Sequence, residues 1–166
     1  MASQQQPLVV GVDGSDASAR ALRWALGEAR RRGTPVHALT VWESRAVMAG
    51  PAPLLMNPNL APHHTREQHW QDLTRLVRDC MGTASSPEIH AELVEGDAAE
   101  VLADRSADAA MLVMGDRGRG RLADAVLGST ALRCIHRARC PVVVVPAGVE
   151  SDPEPAGAQS IDPVLG

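Results

Sequence analysis

The residue types best suited to chemistry are concentrated in one glycine- and arginine-rich stretch, residues 115–129. An apolar run at residues 109–114, which reads as a buried strand, precedes this stretch, and a helix-like segment begins at Ser129. Glycines allow a ligand to approach the backbone closely and also permit positive φ angles. A helix start adds unpaired N–H groups and a partial positive charge. The stretch therefore predicts a binding site for an anion such as a phosphate chain.

The spacing within this stretch is more specific than its composition. From Gly115 to Ser129 it follows G-x2-G-x9-G-[S/T], which resembles the signature of the nucleotide-binding branch of the universal stress protein family. Two other regions agree with the same family: Asp13 follows the first apolar run, and Gly96 precedes an aspartate at a strand-to-helix junction. The resemblance covers roughly residues 7–146 and implies ATP as the ligand.

The resemblance also implies which residues contact the nucleotide. The carboxylate of Asp13 would accept ribose hydroxyls or help to hold a phosphate-bound Mg²⁺ through water. The backbone of Val41 would flank the adenine, with apolar contacts to the base beside it. The expected ligand contacts are Val12, Asp13, Val41, Met114, Gly115, Arg117, Gly118, Arg119, Gly128, Ser129 and Thr130.

The charged residues of the glycine-rich stretch have opposite effects on a bound phosphate. Arg117, Arg119 and Arg121 favour phosphate by charge and by hydrogen bonding. Asp116 stands where the family commonly has a small hydroxyl residue, and a carboxylate beside phosphates is unfavourable. We therefore expect Asp116 to point away from the ligand or to pair with Arg117.

Short apolar runs alternate with helix-like segments, which predicts an α/β protein with a parallel sheet and helices on both faces. The resemblance implies a single Rossmann-like domain of the adenine nucleotide alpha hydrolase-like type, with five strands in the order 3-2-1-4-5. The switch point then lies between strands 1 and 4, and such sheets bind ligands at the carboxyl ends of the strands there. Asp13 and Gly115 stand at those two strand ends.

Two segments interrupt this alternation. Residues 43–64 contain four prolines and little periodicity, which predicts a long irregular connection or lid. Thr65 to Gln68 forms a capping box, which predicts that a helix begins there. Residues 147–166 have little to bury and are predicted to be a disordered tail, so the nucleotide-binding domain is expected to span residues 1–146.

Composition excludes several classes of protein. The chain of 166 residues has a net charge of −4 and three tryptophans as its only aromatic residues, so we expect no nucleic-acid partner. The N-terminus lacks an apolar signal core, and no apolar run approaches the ~20 residues of a membrane span. With three cysteines, read as reduced thiols, the chain is expected to be cytoplasmic.

Several functional interpretations stay open. The first is a regulatory protein of the stress response that binds ATP and couples its occupancy to conformation or to the choice of a protein partner. An alternative is a slow ATPase or nucleotidyl-transfer enzyme, although no nucleophile with an adjacent base is visible. A second alternative is a structural dimer module without a ligand. A lysine-dependent phosphate loop is excluded because the chain has no lysine, and the match of residues 118–123 to a dinucleotide fingerprint is weak.

The last apolar run predicts a homodimer. The strand Val142–Val145 is short, continuously apolar and flanked by Pro141 and Pro146. It closes the expected strand order, so it lies at an edge of the sheet that invites pairing with a second chain. The resemblance implies the same contact, because this family commonly dimerises through its fifth strands.

Overall fold

The computed structural model describes residues 5–43, 62–83, 87–118 and 127–149, with the backbone alone for residues 62–65. Strands and helices alternate along the chain, and a single 3-10 turn, Ser106–Asp108, follows the third helix. The elements are β1 (Leu8–Gly11), α1 (Asp16–Arg32), β2 (Val36–Trp42), α2 (Pro62–Met81), β3 (Ile89–Glu95), α3 (Ala98–Arg105), β4 (Met111–Gly115), α4 (Ser129–Arg137) and β5 (Val142–Val145).

The five strands form one parallel sheet in the order β3-β2-β1-β4-β5, as predicted. The chain moves outward from β1 to β2 and β3, then returns to the other side of β1 to form β4 and β5. Leu8 of β1 therefore lies opposite Val36 of β2 on one side and Met111 of β4 on the other. The direction of winding reverses between β1 and β4, so the connections that follow these strands diverge and leave a crevice.

Helices cover both faces of the sheet, which explains why β1, β4 and β5 are continuously apolar, whereas β3 at the other edge alternates between apolar and polar residues. Val10 and Val113 belong to a core shared with α1 and α2. Val9 and Leu112 belong to a second core shared with α3 and α4. Each central strand therefore contributes to both cores, which fixes β1 and β4 in the middle of the molecule.

The first turn of α1 is fixed by side chains at the end of β1. Ser15 is the N-cap, and its hydroxyl accepts a hydrogen bond from the Ser18 N–H at 3.2 Å. The helix ends at Gly33, which adopts the left-handed conformation (φ +66°) that only glycine adopts without strain. Serine before a helix and glycine directly after it are recognisable signals in a sequence.

The start of α2 differs from the prediction. The helix begins at Pro62 rather than at the Thr65 capping box, so the last three residues of the predicted irregular connection are helical. Proline suits the first helical position because its φ is already helical and its missing N–H would have no partner there. The rest of that connection, residues 44–61, lies outside the described residues.

At the carboxyl end, the prediction of a disordered tail also falls mostly on residues that the structure does not describe, 150–166. Val149 is described and packs against the core on the α1 side. Within the described ranges, no helix combines the length and apolarity needed to cross a membrane.

Candidate functional site

A cavity of about 230 Å³ opens where β1 and β4 end. Gly11 and Val12 form its wall at the end of β1, and Met114 and Gly115 do so at the end of β4. The cavity therefore lies at the switch point of the sheet, where the sequence predicted a ligand. Because β1 and β4 are adjacent, residues about a hundred positions apart in sequence share one wall.

One side of the cavity is apolar. Leu39 and Val41 line it from β2, Leu102 lines it from α3, and Met114 lines it from β4. Leu39 and Leu102 are fully buried members of the core on the α3 side, so this wall is held rigidly. Such a surface suits the flat apolar face of a ring.

Another part of the wall is polar and is built from the ends of the loops and the start of α4. Asp13 follows β1, Arg117 and Gly118 follow β4, and Ser129 and Thr130 begin α4. Among the described wall residues, Asp13 carries the one carboxylate and Arg117 the one cation. Hydroxyls, backbone N–H groups and a guanidinium on this side favour an anionic group.

Three helices begin near this polar side, and they differ in how their first turns are capped. The Ser15 hydroxyl caps α1, and the Asp97 carboxylate caps α3 by accepting from the Glu100 N–H at 3.0 Å. The N-cap of α4 is Gly128, which has no side chain to contribute. Its first-turn N–H groups therefore have no side-chain cap, and Ser129, Thr130 and Ala131 of this turn line the cavity.

The glycine-rich loop closes on itself at the cavity. The Gly128 N–H donates to the carbonyl oxygen of Asp116 at 2.8 Å, so the loop leaves β4 and reaches α4 at the same place. Residues 119–126 inside the loop lie outside the described part of the chain, and Arg119 and Arg121 are among them.

The three motif glycines have different surroundings. A Cβ on Gly115 would lie 2.6 Å from the backbone carbon of Ala17, so this glycine lets β4 approach the start of α1. A Cβ on Gly118 would lie 2.9 Å from Oδ2 of Asp13, whereas one on Gly128 would be 3.5 Å from its nearest neighbour. The expectation of positive φ is wrong for all three of these glycines.

Asp13 is held in place by the residue that caps α1. Its Oδ1 accepts hydrogen bonds from the Ser15 N–H at 2.9 Å and from the Ser15 hydroxyl at 2.5 Å. Asp13 therefore supports the cap but is not itself the cap. Its Oδ2 lies on the side of Gly118, where the polar wall of the cavity continues.

Asp116 pairs with a different arginine from the one expected. Oδ1 of Asp116 lies 3.4 Å from Nη2 of Arg20, which projects from α1. The expected partner, Arg117, instead lines the cavity, and Asp116 is absent from the wall among the described residues. The pair forms because α1 packs directly on β4, a contact for which the sequence gives no local signal.

The structure brings together every predicted contact residue that it describes. Ten of the eleven line this cavity, and the eleventh, Arg119, lies outside the described ranges. Sequence reasoning missed six wall positions on β1, β2, α1, α3 and α4, which are ordinary helix and strand residues with no motif to mark them, and a seventh in the glycine-rich stretch just before α4. The missed residues are Gly11, Ser18, Leu39, Ala98, Leu102, Leu127 and Ala131.

Two titratable groups behind the wall serve the fold. The pKa of Asp97 is lowered, first by its hydrogen bond from Arg133 of α4 and then by the backbone N–H of Glu100, so this carboxylate ties α3 to α4. Burial raises the pKa of Cys134 to about 11, so its thiol stays protonated at neutral pH. Within the described wall there is neither a histidine nor a cysteine.

Comparison with known proteins decides the family. The family model described as "Universal stress protein family" matches residues 5–146. The chain belongs to the universal stress protein family. A universal stress protein of Mycolicibacterium smegmatis is 34% identical over 139 residues, which are 83% of this chain and 47% of that protein. This universal stress protein thus spans about half the length of the curated relatives it matches.

Solved universal stress proteins share the fold. UspA from Lactobacillus plantarum superposes with a TM-score of 0.72 at 24% identity, covering 86% of this chain and 99% of that one. A universal stress protein in complex with cAMP gives 0.63 at 23% identity, covering 87% and 98%. One from Archaeoglobus fulgidus in complex with dAMP gives 0.54 at 23% identity, covering 85% and 98%. At these identities the likeness establishes the fold.

Proposed function

We propose that this universal stress protein binds ATP in the cavity at the ends of β1 and β4. Occupancy would be coupled to its conformation or its choice of partner in the stress response. The observation that carries the proposal is that one cavity is lined both by the start of α4, which has no side-chain cap, and by apolar side chains from β2, β4 and α3. A nucleotide combines the two chemistries that this lining selects, an apolar ring and an anionic chain.

The described residues fit such a ligand. The triphosphate would lie against Gly118 and the start of α4, where Ser129 and Thr130 add hydroxyls to the backbone N–H groups. The adenine would lie between Val41 and the apolar wall, and Asp13 would accept the ribose hydroxyls. Arg117 would supply positive charge to the phosphates.

Mg²⁺ is proposed only as a companion of the phosphates. Mg²⁺ retains several waters and commonly uses one or two carboxylates together with substrate phosphates. Asp13 is the one described carboxylate on the wall, and its Oδ1 is already engaged by Ser15. The chain's own contribution would therefore be a single carboxylate acting directly or through water.

The nucleotides in the solved relatives support the choice of an adenine ligand. Both cAMP and dAMP carry an adenine with one phosphate, and each is bound by a protein with this fold. ATP, AMP and cAMP should therefore be compared on this chain. Preference for ATP would follow from the first-turn N–H groups of α4 and from Arg117, which favour the longer phosphate chain.

The enzyme alternative makes a different prediction. A slow ATPase would release phosphate in proportion to enzyme and time, whereas a binding protein would saturate without turnover. We favour binding because the described wall offers Asp13 as its one carboxylate, and Ser15 holds that group. A homodimer through β5 and a cytoplasmic location are proposed alongside it.

The direct test is the nucleotide content of the purified protein. Denaturation followed by chromatography should release an adenine nucleotide, and the apoprotein should take up ATP without releasing phosphate. A protein that carries no nucleotide and binds none of ATP, AMP or cAMP would support the structural dimer module instead.

A further inference from the structure

Arg20 and Asp116 form an ion pair that is more enclosed than the other pairs of α1. Their side chains are 26% and 14% exposed, and Nη2 of Arg20 lies 3.4 Å from Oδ1 of Asp116. The Nε of Arg20 is buried and has no hydrogen-bond partner among the described residues. By contrast, the pairs that Glu28 makes further along α1 involve arginines that are about half exposed. Arg20 is therefore less exposed than the other arginines of these α1 pairs.

The backbone of Asp116 connects the glycine-rich loop after β4 to both β5 and the start of α4. Its N–H donates to the carbonyl oxygen of Val145 at 3.3 Å, which fixes it to β5. Its own carbonyl oxygen accepts from the Gly128 N–H at 2.8 Å, which closes the loop at the start of α4. A movement of Asp116 would therefore also move the proposed phosphate site.

The side chain of Asp116 is turned away from that site. Gly115 before it, and Arg117 and Gly118 after it, all line the cavity, but Asp116 is not among the described wall residues. Arg20 is not among them either, although Ser18 of the same helix is. The ion pair therefore lies outside the described wall of the cavity.

We propose that Arg20 is a positioning residue for phosphate binding, which acts by holding and neutralising the Asp116 carboxylate. This inference rests on the proposed function, because it assumes that a nucleotide phosphate chain occupies the loop. Without Arg20, an uncompensated carboxylate would adjoin the phosphates and repel them, and it would be free to turn toward them. The penalty should grow with the charge of the ligand.

The test is a double-mutant cycle read with two ligands by calorimetry. Arg20→Met removes the positive charge of the guanidinium, and Asp116→Asn removes the negative charge that the guanidinium neutralises. The double variant removes both charges. Adenosine has the base and ribose but no phosphate, so it reports on the rest of the cavity. Arg20→Lys tests rescue by a charge alone, and Arg23→Met is a matched control on an exposed position of α1.

The expected result is a loss of ATP affinity of about five- to tenfold in Arg20→Met, with adenosine affinity unchanged. Asp116→Asn should bind ATP at least as tightly as the wild type, and adding it to Arg20→Met should restore affinity. Arg20→Lys should recover most of the loss, and Arg23→Met should lose nothing. The Asp116→Asn arm remains informative if Arg20→Met does not fold.

Four outcomes would overturn the inference. An equal loss of ATP affinity from Arg20→Met in the Asp116→Asn background would make Arg20 a direct phosphate ligand. A weaker ATP complex in Asp116→Asn alone would mean that the carboxylate itself is needed. A wild type that binds neither ATP nor adenosine would overturn the proposed function and this inference together. If the wild type binds ATP but the substitutions at Arg20 and Asp116 show no coupling in ATP affinity, the inference alone is overturned.

Discussion

The three glycines of the G-x2-G-x9-G-[S/T] motif have different structural roles, although the spacing alone does not distinguish them. Gly115 allows β4 to approach α1, Gly118 lies beside the Asp13 carboxylate, and Gly128 has room for a methyl group. None of them has a positive φ, so conformational freedom does not explain why the motif needs glycine. At Gly128, the remaining reason is the space that a ligand would occupy.

Gly128→Ala should therefore weaken ATP binding while leaving the folded protein intact. Its new Cβ would meet ordinary neighbours at 3.5 Å or more, but it would crowd the phosphates at the start of α4. Losing one charge-assisted hydrogen bond there should cost about 1.5–3 kcal/mol of binding free energy. Calorimetry with ATP would measure this loss. Gly27→Ala on α1 is the control, since a Cβ there would have no heavy atom within 4 Å apart from its chain neighbours and the backbone of its own helix. Unchanged affinity in Gly128→Ala would refute the phosphate assignment.

Gly115→Ala should instead destabilise the protein. Its Cβ would lie 2.6–2.8 Å from the Ala17 backbone and side chain, so α1 would have to shift on β4. Overpacking of this kind typically lowers the free energy of unfolding by about 1–3 kcal/mol. Denaturant unfolding would check it against Gly27→Ala, which should raise stability by about 0.5–1 kcal/mol. Equal midpoints for Gly115→Ala and the wild type would contradict the close approach.

How much of the site the sequence predicts depends on whether the signal is local. Ser129 and Asp13 were predictable because a fixed spacing and a strand end mark them. Arg20 and Asp116 are 96 residues apart and meet only because α1 packs on β4, so no local pattern pairs them. Leu102 reaches the wall from an ordinary helix position for the same reason.

At the scale of elements, the caps determine which helix start is open. Side chains close α1 and α3, and a glycine leaves α4 open, so the arrangement directs a ligand to one of three helix starts. The sequence predicts that Asp97 caps α3, but it leaves Asp13, Ser15 and Asp16 as competing caps of α1 and does not mark Gly128 as the N-cap of α4. It does not predict that the three starts converge, which is a property of the sheet order.

The paired strands β2 and β3 predict a dependence of stability on pH. His37 and His90 lie opposite each other, with ring centroids 5.1 Å apart. Burial, and then the positive charge of His90, lowers the pKa of His37; Arg105 acts in the same direction, and the carboxylates of Glu92 and Glu88 oppose it. The folded protein therefore binds this proton less tightly than the unfolded chain does.

The consequence is a loss of stability in acid. Above the ordinary histidine pKa of about 6.5, both states are neutral at His37 and its contribution is complete. As the pH falls below that value, the unfolded chain takes up the proton first, so the free energy of unfolding decreases. His37→Gln should flatten this part of the profile, measured by denaturant unfolding between pH 7.5 and 5.5. His136→Gln, at an exposed position of α4, is the control and should leave the pH profile of the free energy of unfolding unchanged. If this free energy had the same dependence on pH in the wild type and in both variants, the explanation would be refuted.

At the scale of the whole molecule, β5 is an edge of the described sheet. The Leu112 N–H donates to the Pro141 carbonyl and the Asp116 N–H to that of Val145, so alternate residues of β5 face β4. In a parallel pair, the residues between them direct their N–H and C=O groups outward. Val142 and Val144 therefore present their backbone groups at the free edge, where the predicted homodimer would form.

Val144→Pro should convert the dimer to a monomer. It removes an outward N–H and places a ring at the edge, while the inward hydrogen bonds to β4 are retained. Val144→Ala keeps the N–H and should remain dimeric. Sedimentation at matched concentrations would decide. A monomeric wild type, or a dimeric proline variant, would rule out pairing through β5. Val144 is chosen for substitution rather than Val145 because Val145 is buried in the core, where a change would also destabilise the fold.

The fold as a whole was predictable because its signals are repeated. β1, β4 and β5 are short apolar runs, and each helix follows a turn. Continuous apolarity indicates burial on both faces, as Val9 and Val10 show by belonging to different cores. The start of α2 was not predicted correctly because two signals, Pro62 and the Thr65 capping box, compete over three residues. The order of the strands came from family resemblance rather than from local pattern.

The central claim is that ATP binds with its phosphates at the start of α4. Titration of ¹⁵N-labelled protein with ATP, followed through its amide resonances, tests this most directly. The account predicts saturable shifts that are largest at Gly118, Ser129 and Thr130, together with smaller shifts at Val41 on the apolar side. Shifts that do not saturate, or that are confined to residues away from the ends of β1 and β4, would contradict it.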